Sequence, residues 1–372
     1  MPTMNANTSN RPWIGALTVA IAIVVVAEPR VAQTQAGPIA NVLLVTMDGM
    51  RWQEVFGGME SALLTKEDGG VSEAAPIAKR FDAGTPEGRR QRLMPFFWDV
   101  VAKQGQVFGD PSKQSLAHVT NGLWFSYPGY NELLTGAPDP RIDSNDRIEN
   151  PNTSVLEWLN HRPPYAGKVA AFASWELLPW ILNQQRSGIP CNGDGPPIAS
   201  PSTERDRALN EFAAELPPIW GETRMDAPTG LGALEYFKTK HPRVLYVMLG
   251  ETDEWAHGRR YDLYLDAAQR SDRFIKRLWE TAQSMPEYAN RTALVMTTDH
   301  GRGEARDWTT HGEKVPAAER IWMAVMGPGV PASGLRSNVT VTQSQIAATV
   351  AALLGEDYRA AQPRAAPPLD LK

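Results

Sequence analysis

Aspartate and histidine stand at the ends of apolar runs along this 372-residue chain. Asp48 closes Asn41-Val-Leu-Leu-Val-Thr-Met. Asp253 and His257 follow Val244-Leu-Tyr-Val-Met-Leu. Asp299-His300 closes Ala293-Leu-Val-Met-Thr-Thr, and His311 lies eleven residues on. Carboxylates and imidazoles gathered on one rim make a divalent-metal site. Asp253 and His257 are four residues apart, so on a helix they share a face and reach one ion. Ser126, in Ser126-Tyr-Pro-Gly-Tyr, lies between the first ligand and the rest. A hydroxyl at a helix opening has backbone N–H groups and the helix dipole beside it, which suits an incoming phosphate. A bound metal could replace a base by lowering its pKa. Each motif has a plainer use, as a helix cap or a turn. The joint reading gains weight because three of the six histidines fall between residues 257 and 311. His118, His161 and His241 lack such company and read as structural or surface residues.

Positioning these groups requires strands that end at one edge. Val42–Thr46, Val169–Ala173, Val244–Leu249, Ala293–Thr298 and Ile321–Met326 are apolar without polar alternation. That pattern suits parallel strands covered on both faces. Helices are expected over Ser154–Asn160, Arg260–Gln283 and Gln343–Leu354, and the second carries one apolar stripe opposite a charged face. Strands alternating with helices imply an α/β fold, a mostly parallel central sheet covered by helices on both faces. Ligands then collect at the carboxyl ends of the strands, where Asp48, Asp253 and Asp299 fall. Two stretches read as insertions: Gly57–Arg92, and the Pro-, Gly- and Trp-rich Trp175–Pro228. The second is expected to form a lid or pocket wall, because long irregular segments in compact domains are often functional.

The formal net charge of −5 and the lack of a long basic run argue against a nucleic-acid-binding surface. At the N-terminus, Arg11 precedes an apolar run from Trp13 to Ala27, followed by small residues up to Ala36. The run falls short of the ~20 residues of a membrane span, so residues 1–36 read as an export signal, with an uncleaved anchor as the alternative. No second run is long enough to span a bilayer. Cys191, the single cysteine, excludes an internal disulfide and reads as an incidental thiol in a turn-rich loop. One domain over residues 37–360 and a loose Ala/Pro-rich tail over 361–372 complete the organisation.

The order strand-Asp48, Ser126-x-Pro, Asp253-x-x-x-His257, Asp299-His300 and a final His311 resembles the alkaline phosphatase superfamily, particularly its compact phosphodiesterase/nucleotide pyrophosphatase-like members. The resemblance spans about Asn41 to Gly312. It implies two divalent ions, foremost zinc, with manganese or another divalent ion as the alternative. Asp253, His257 and His311 would hold one; Asp48, Asp299 and His300 would hold the other, completed by Ser126 as nucleophile. It further implies that Asn145 donates to a phosphoryl oxygen, assisted by the backbone N–H near Tyr127. Arg51, which could also face an anion, reads rather as solvated. The implied activity is hydrolysis of a small phosphate ester, mono- or diester, through a phosphoseryl intermediate. A phosphoryl or phosphoalcohol transferase, a sulfatase-like esterase and a non-catalytic metal-binding exported protein are the alternatives. Tyr130 stands where sulfatases of the superfamily carry arginine, which disfavours sulfatase chemistry.

Overall fold

In the computed structural model, residues 1–4, 38–193 and 195–372 are described. The export signal read at residues 1–36 therefore lies, beyond its first four residues, outside the described residues. The described strands are β1 (Asn41–Met47), β2 (Gly105–Phe108), β3 (Ser115–His118), β4 (Val169–Ala173), β5 (Cys191–Asn192), β6 (Val244–Leu249), β7 (Thr292–Thr297), β8 (Met323–Met326), β9 (Gly334–Leu335) and β10 (Val339–Thr342). Eight build one sheet in the order β5-β4-β6-β1-β7-β8-β2-β9, and β10 pairs with β3 in a second. The five central-sheet pairs β5-β4, β4-β6, β6-β1, β1-β7 and β2-β9 are parallel.

Every residue of β1, β4, β6 and β7 is buried, as strands sandwiched between helical layers must be. Successive side chains then feed opposite cores. Leu43, Val45, Leu245 and Val247 join Tyr264, Leu265, Ile275 and Leu278 of the Tyr261–Ser284 helix on one face. Val42, Leu44, Tyr246 and Met248 join Tyr130 and Leu133 of the Ser126–Thr135 helix and Val350 of the Gln345–Leu353 helix on the other. The Val155–Asn160 helix starts at Ser154, whose hydroxyl accepts from the Glu157 N–H at 3.1 Å.

Three expectations are corrected. The last apolar run, Ile321–Met326, forms β8 only from Met323 and runs antiparallel to β7 and β2. After β7 the chain stays at the carboxyl edge, where Gly301 N–H bonds Ala318 and His118 bridges Arg320. The next strand can only descend from that edge, and a run buried on both faces looks the same in either direction. Secondly, the tail is packed rather than loose. Leu369 N–H donates to Thr349 Oγ1 at 2.8 Å, Gln106 Nε2 to Leu371 O at 2.8 Å, and Ala365 and Leu369 are buried. Thirdly, the Trp175–Pro228 segment holds helix turns, including Glu204–Ala214 with a Thr203/Asp206 capping box. Its ends close on each other through the Trp175–Thr223 bridge and the Arg224 N–H to Ser174 O bond. No helix among the described residues is long and apolar enough to cross a membrane.

Candidate active site

Sheet order does the first part of the assembly. Strands β6, β1 and β7 are neighbours and parallel, so Asp48, Asp253 and Asp299 emerge side by side at one carboxyl edge. The turn after β1 is tight: Gly49 adopts φ +56° and its N–H donates to Asp299 Oδ1 at 3.0 Å. A Cβ at Gly49 would lie 2.7 Å from Asp253 Oδ1 and 2.8 Å from Arg302 Nε, so this position needs glycine. The Glu251–His257 helix begins directly after β6, and Asp253 Oδ2 lies 3.2 Å from His257 Nε2 one turn on.

His300 is wholly buried in the middle of the cluster. Its Nε2 lies 3.3 Å from Asp299 Oδ2, 3.5 Å from Asp48 Oδ1 and 3.3 Å from Ser126 Oγ. Its Nδ1 faces the Gly301 carbonyl at 2.9 Å, which forces a proton onto Nδ1 and leaves the Nε2 lone pair for a ligand role. His311 repeats the device, with Nδ1 3.2 Å from Trp124 O and Nε2 turned to His257 Nε2 at 3.0 Å and Asp253 Oδ1 at 3.7 Å. Burial, then the neighbouring His300, pushes the His311 pKa well below its ordinary value, favouring the neutral ligand form. Asp48 is raised well above the carboxylate range by burial and then by Asp299 and Asp253; Asp299 is raised chiefly by burial. Burial also acts to raise Asp253, but Arg302 and His257 hold it well below the usual range.

Two triads of ligand atoms converge: Asp48, Asp299 and His300, and Asp253, His300 and His311. His257 adjoins the second through Asp253 and His311. Asp48 Oδ1 and Asp299 Oδ2 are buried with no hydrogen-bond partner among the described residues. Leaving carboxylate oxygens so costs folding free energy unless a cation answers them. Two carboxylates and a neutral imidazole fit a divalent ion such as zinc.

Ser126 opens its helix and is nearly buried at 7 % exposure. Gly129 lets that helix close on the end of β7: a Cβ there would meet the Asp299 carbonyl oxygen at 2.5 Å. Asn145 stands beside Ser126, its Oδ1 accepting the Tyr127 N–H at 2.9 Å. That bond commits Oδ1 as an acceptor and leaves the donors on Nδ2. It also occupies the Tyr127 N–H expected to face the phosphoryl group, which is a correction to that expectation.

Arg51 is corrected as well. It is fully buried, ion-paired with Glu54 and Glu60, and bonded to Gly303 O at 3.2 Å. Its charge is spent on the scaffold behind the rim; the Glu54 three residues on was the available signal. Two neighbours of the cluster lie outside the expected ligand set. Tyr130 donates its hydroxyl to Asp48 Oδ2 at 2.8 Å, and Arg302 pairs with Asp253. Tyr130 was legible four residues after Ser126, one helical turn away on the same face. His118 lies on β3, His161 caps a helix, and His241 pairs with Glu287, all apart from the cluster.

A family model described as type I phosphodiesterase / nucleotide pyrophosphatase matches residues 79–364. No curated protein matches by sequence. Among solved structures, the lipoteichoic acid synthase LtaP from Listeria monocytogenes superposes with TM-score 0.55 at 12 % identity, covering 87 % of this chain and 74 % of that one. A putative sulfatase from Bacteroides thetaiotaomicron gives 0.54 at 13 %, covering 85 % and 71 %. Murine ectonucleotide pyrophosphatase/phosphodiesterase 5, in complex with AMP, gives 0.50 at 13 %, covering 88 % and 96 %. These likenesses show the alkaline phosphatase-like fold.

Proposed function

Because the chain belongs to the type I phosphodiesterase / nucleotide pyrophosphatase family of the alkaline phosphatase superfamily, we propose that it is a two-metal hydrolase of small phosphate esters with Ser126 as nucleophile. The observation that carries this reading is the pair of partnerless buried oxygens, Asp48 Oδ1 and Asp299 Oδ2, around the His300 Nε2 that touches Ser126 Oγ at 3.3 Å. Asp48, Asp299 and His300 would hold one ion, and Asp253, His257 and His311 the other. Bound there, the ions would lower the pKa of the serine hydroxyl and offset the negative charge of the reacting phosphoryl group.

The remaining work falls to the protein. His300 offers Nε2 as a ligand and so is not the base for Ser126. Ser126 Oγ, its proton released to solvent water, attacks phosphorus; the Oγ–P bond forms, the bond to the leaving alkoxide breaks, and that alkoxide takes up a proton from water. Water then cleaves the phosphoseryl ester. Asn145, with Oδ1 tied to Tyr127, keeps Nδ2 available for an equatorial phosphoryl oxygen. Tyr130 donates to Asp48 Oδ2 and so leaves Oδ1 as the ligand atom. The same commitment leaves the fifth position of the serine motif without the guanidinium that a sulfatase carries there.

A panel of p-nitrophenyl phosphate, bis-p-nitrophenyl phosphate, phenylphosphonate and p-nitrophenyl sulfate, with added zinc or manganese, tests this. Metal-dependent hydrolysis of a phosphate ester is expected; turnover of the sulfate alone would overturn it. Residues 1–36 read as an export signal, so the enzyme works outside the cytoplasm. N-terminal sequencing of the exported protein should find a start after Ala27 or Ala36.

A further inference from the structure

The two metal positions are not electrostatically equal, and Arg302 is the reason. Its side chain is 0 % exposed, and Nη2 donates both to Asp253 Oδ1 and, at 3.1 Å, to the Asp253 carbonyl. Nε and Nη1 are buried and have no acceptor among the described residues. The Gly49 backbone closes over the pair, with no room for a Cβ against either partner. The oxygen that Arg302 takes is the one nearest His311 Nε2, 3.7 Å, and His300 Nε2, 3.8 Å. In contrast, Asp48 Oδ1 and Asp299 Oδ2 have no such partner.

A guanidinium cannot vacate the site by losing its proton. Any divalent ion entering beside Asp253 must therefore share that carboxylate with a fixed positive charge only a few ångströms away, carried on a side chain that is itself shielded from solvent. We propose that Arg302 is a built-in counterion of Asp253 that makes the Asp253–His257–His311 position the weak, exchangeable metal site, while Asp48–Asp299–His300 is the resident one. This rests on the two-metal reading above. Its consequence is a protein that keeps one ion through purification and reaches full loading only when free metal is plentiful.

Equilibrium dialysis of the full-length protein against zinc alone, read by elemental analysis, tests it. The wild type should show two classes of site whose dissociation constants differ on the order of 100-fold. His257→Ala should remove the weak class and Asp299→Asn the tight one. Arg302→Met, checked for folding by circular dichroism, should bring the classes to within about tenfold of each other. Two equal classes in the wild type would overturn the inference without recourse to any variant. So would loss of the tight class in His257→Ala, or an unchanged separation in folded Arg302→Met. No zinc at either position would overturn the two-metal reading itself, and this inference with it.

Discussion

Asn145 shows how one hydrogen bond sets the chemistry of a side chain. Its carbonyl oxygen is held by the Tyr127 N–H, so the amide nitrogen is the group left for the phosphoryl contact proposed above. The side chain is exposed and supports no core. Asn145→Ala should therefore lower kcat by about 10²- to 10³-fold, the usual cost of a lost oxyanion donor. Its melting temperature should fall by only a few degrees, the cost of the one lost bond to the Tyr127 N–H; a larger fall with unchanged kcat would assign Asn145 to the scaffold instead. Residues at this scale were unevenly legible. Asp48, Asp253, Asp299 and the three histidines stood out because they end apolar runs. Asn145 entered only through family resemblance, since nothing in its own neighbourhood marks it. Arg51 was misread because burial depends on two partners, Glu54 and Glu60, that the local pattern does not rank above solvent.

Elements carry the site by close approach, and two predictions belong to them. Gly129 sits in a helix, where alanine would ordinarily stabilise by up to about 1 kcal/mol. Here the added Cβ would meet the Asp299 carbonyl at 2.5 Å. Gly129→Ala should instead cost about 1–3 kcal/mol in urea unfolding, as overpacking does, and lower kcat by displacing Ser126 from His300. The second concerns Asp272 of the Tyr261–Ser284 helix, which accepts the Phe96 and Phe97 N–H groups at 2.8 and 2.9 Å. Burial raises its pKa from 3.8 to about 7 against the pull of those two bonds. Between those values the folded state keeps the proton and the unfolded state releases it. Stability should therefore fall as pH rises from about 4 to about 7 and level off above, by on the order of 2–4 kcal/mol. Asp272→Asn should flatten that slope in urea titrations at pH 5 and pH 8; an equally steep slope in the variant would locate the titrating group elsewhere. The strands were readable where two-sided burial erased polar alternation, as in β1, β4, β6 and β7. The direction of β8 was not, because it is set by the chain staying at the carboxyl edge from Asp299 to Ile321 and not by the composition of the strand.

At the scale of the whole molecule, the net charge of −5 says little about the site; sheet order says much more. Neighbouring β6, β1 and β7 bring together residues more than 200 positions apart in the chain. Two aromatic pairs, Trp220 against Trp255 and Trp175 against Tyr130, tie the Trp175–Pro228 segment to the elements that carry Asp253 and Ser126. Substrate preference is therefore expected to respond to changes in that segment, while the reaction class follows from the rim. The central claim is that Ser126 is the nucleophile at a metal-loaded site. Turnover of p-nitrophenyl phosphate and bis-p-nitrophenyl phosphate by wild type and Ser126→Ala, both zinc-loaded and matched for metal content, tests it most directly. The account predicts a loss of at least about 10³-fold in kcat with bound zinc unchanged. Near-wild-type turnover by Ser126→Ala at equal zinc content would contradict it.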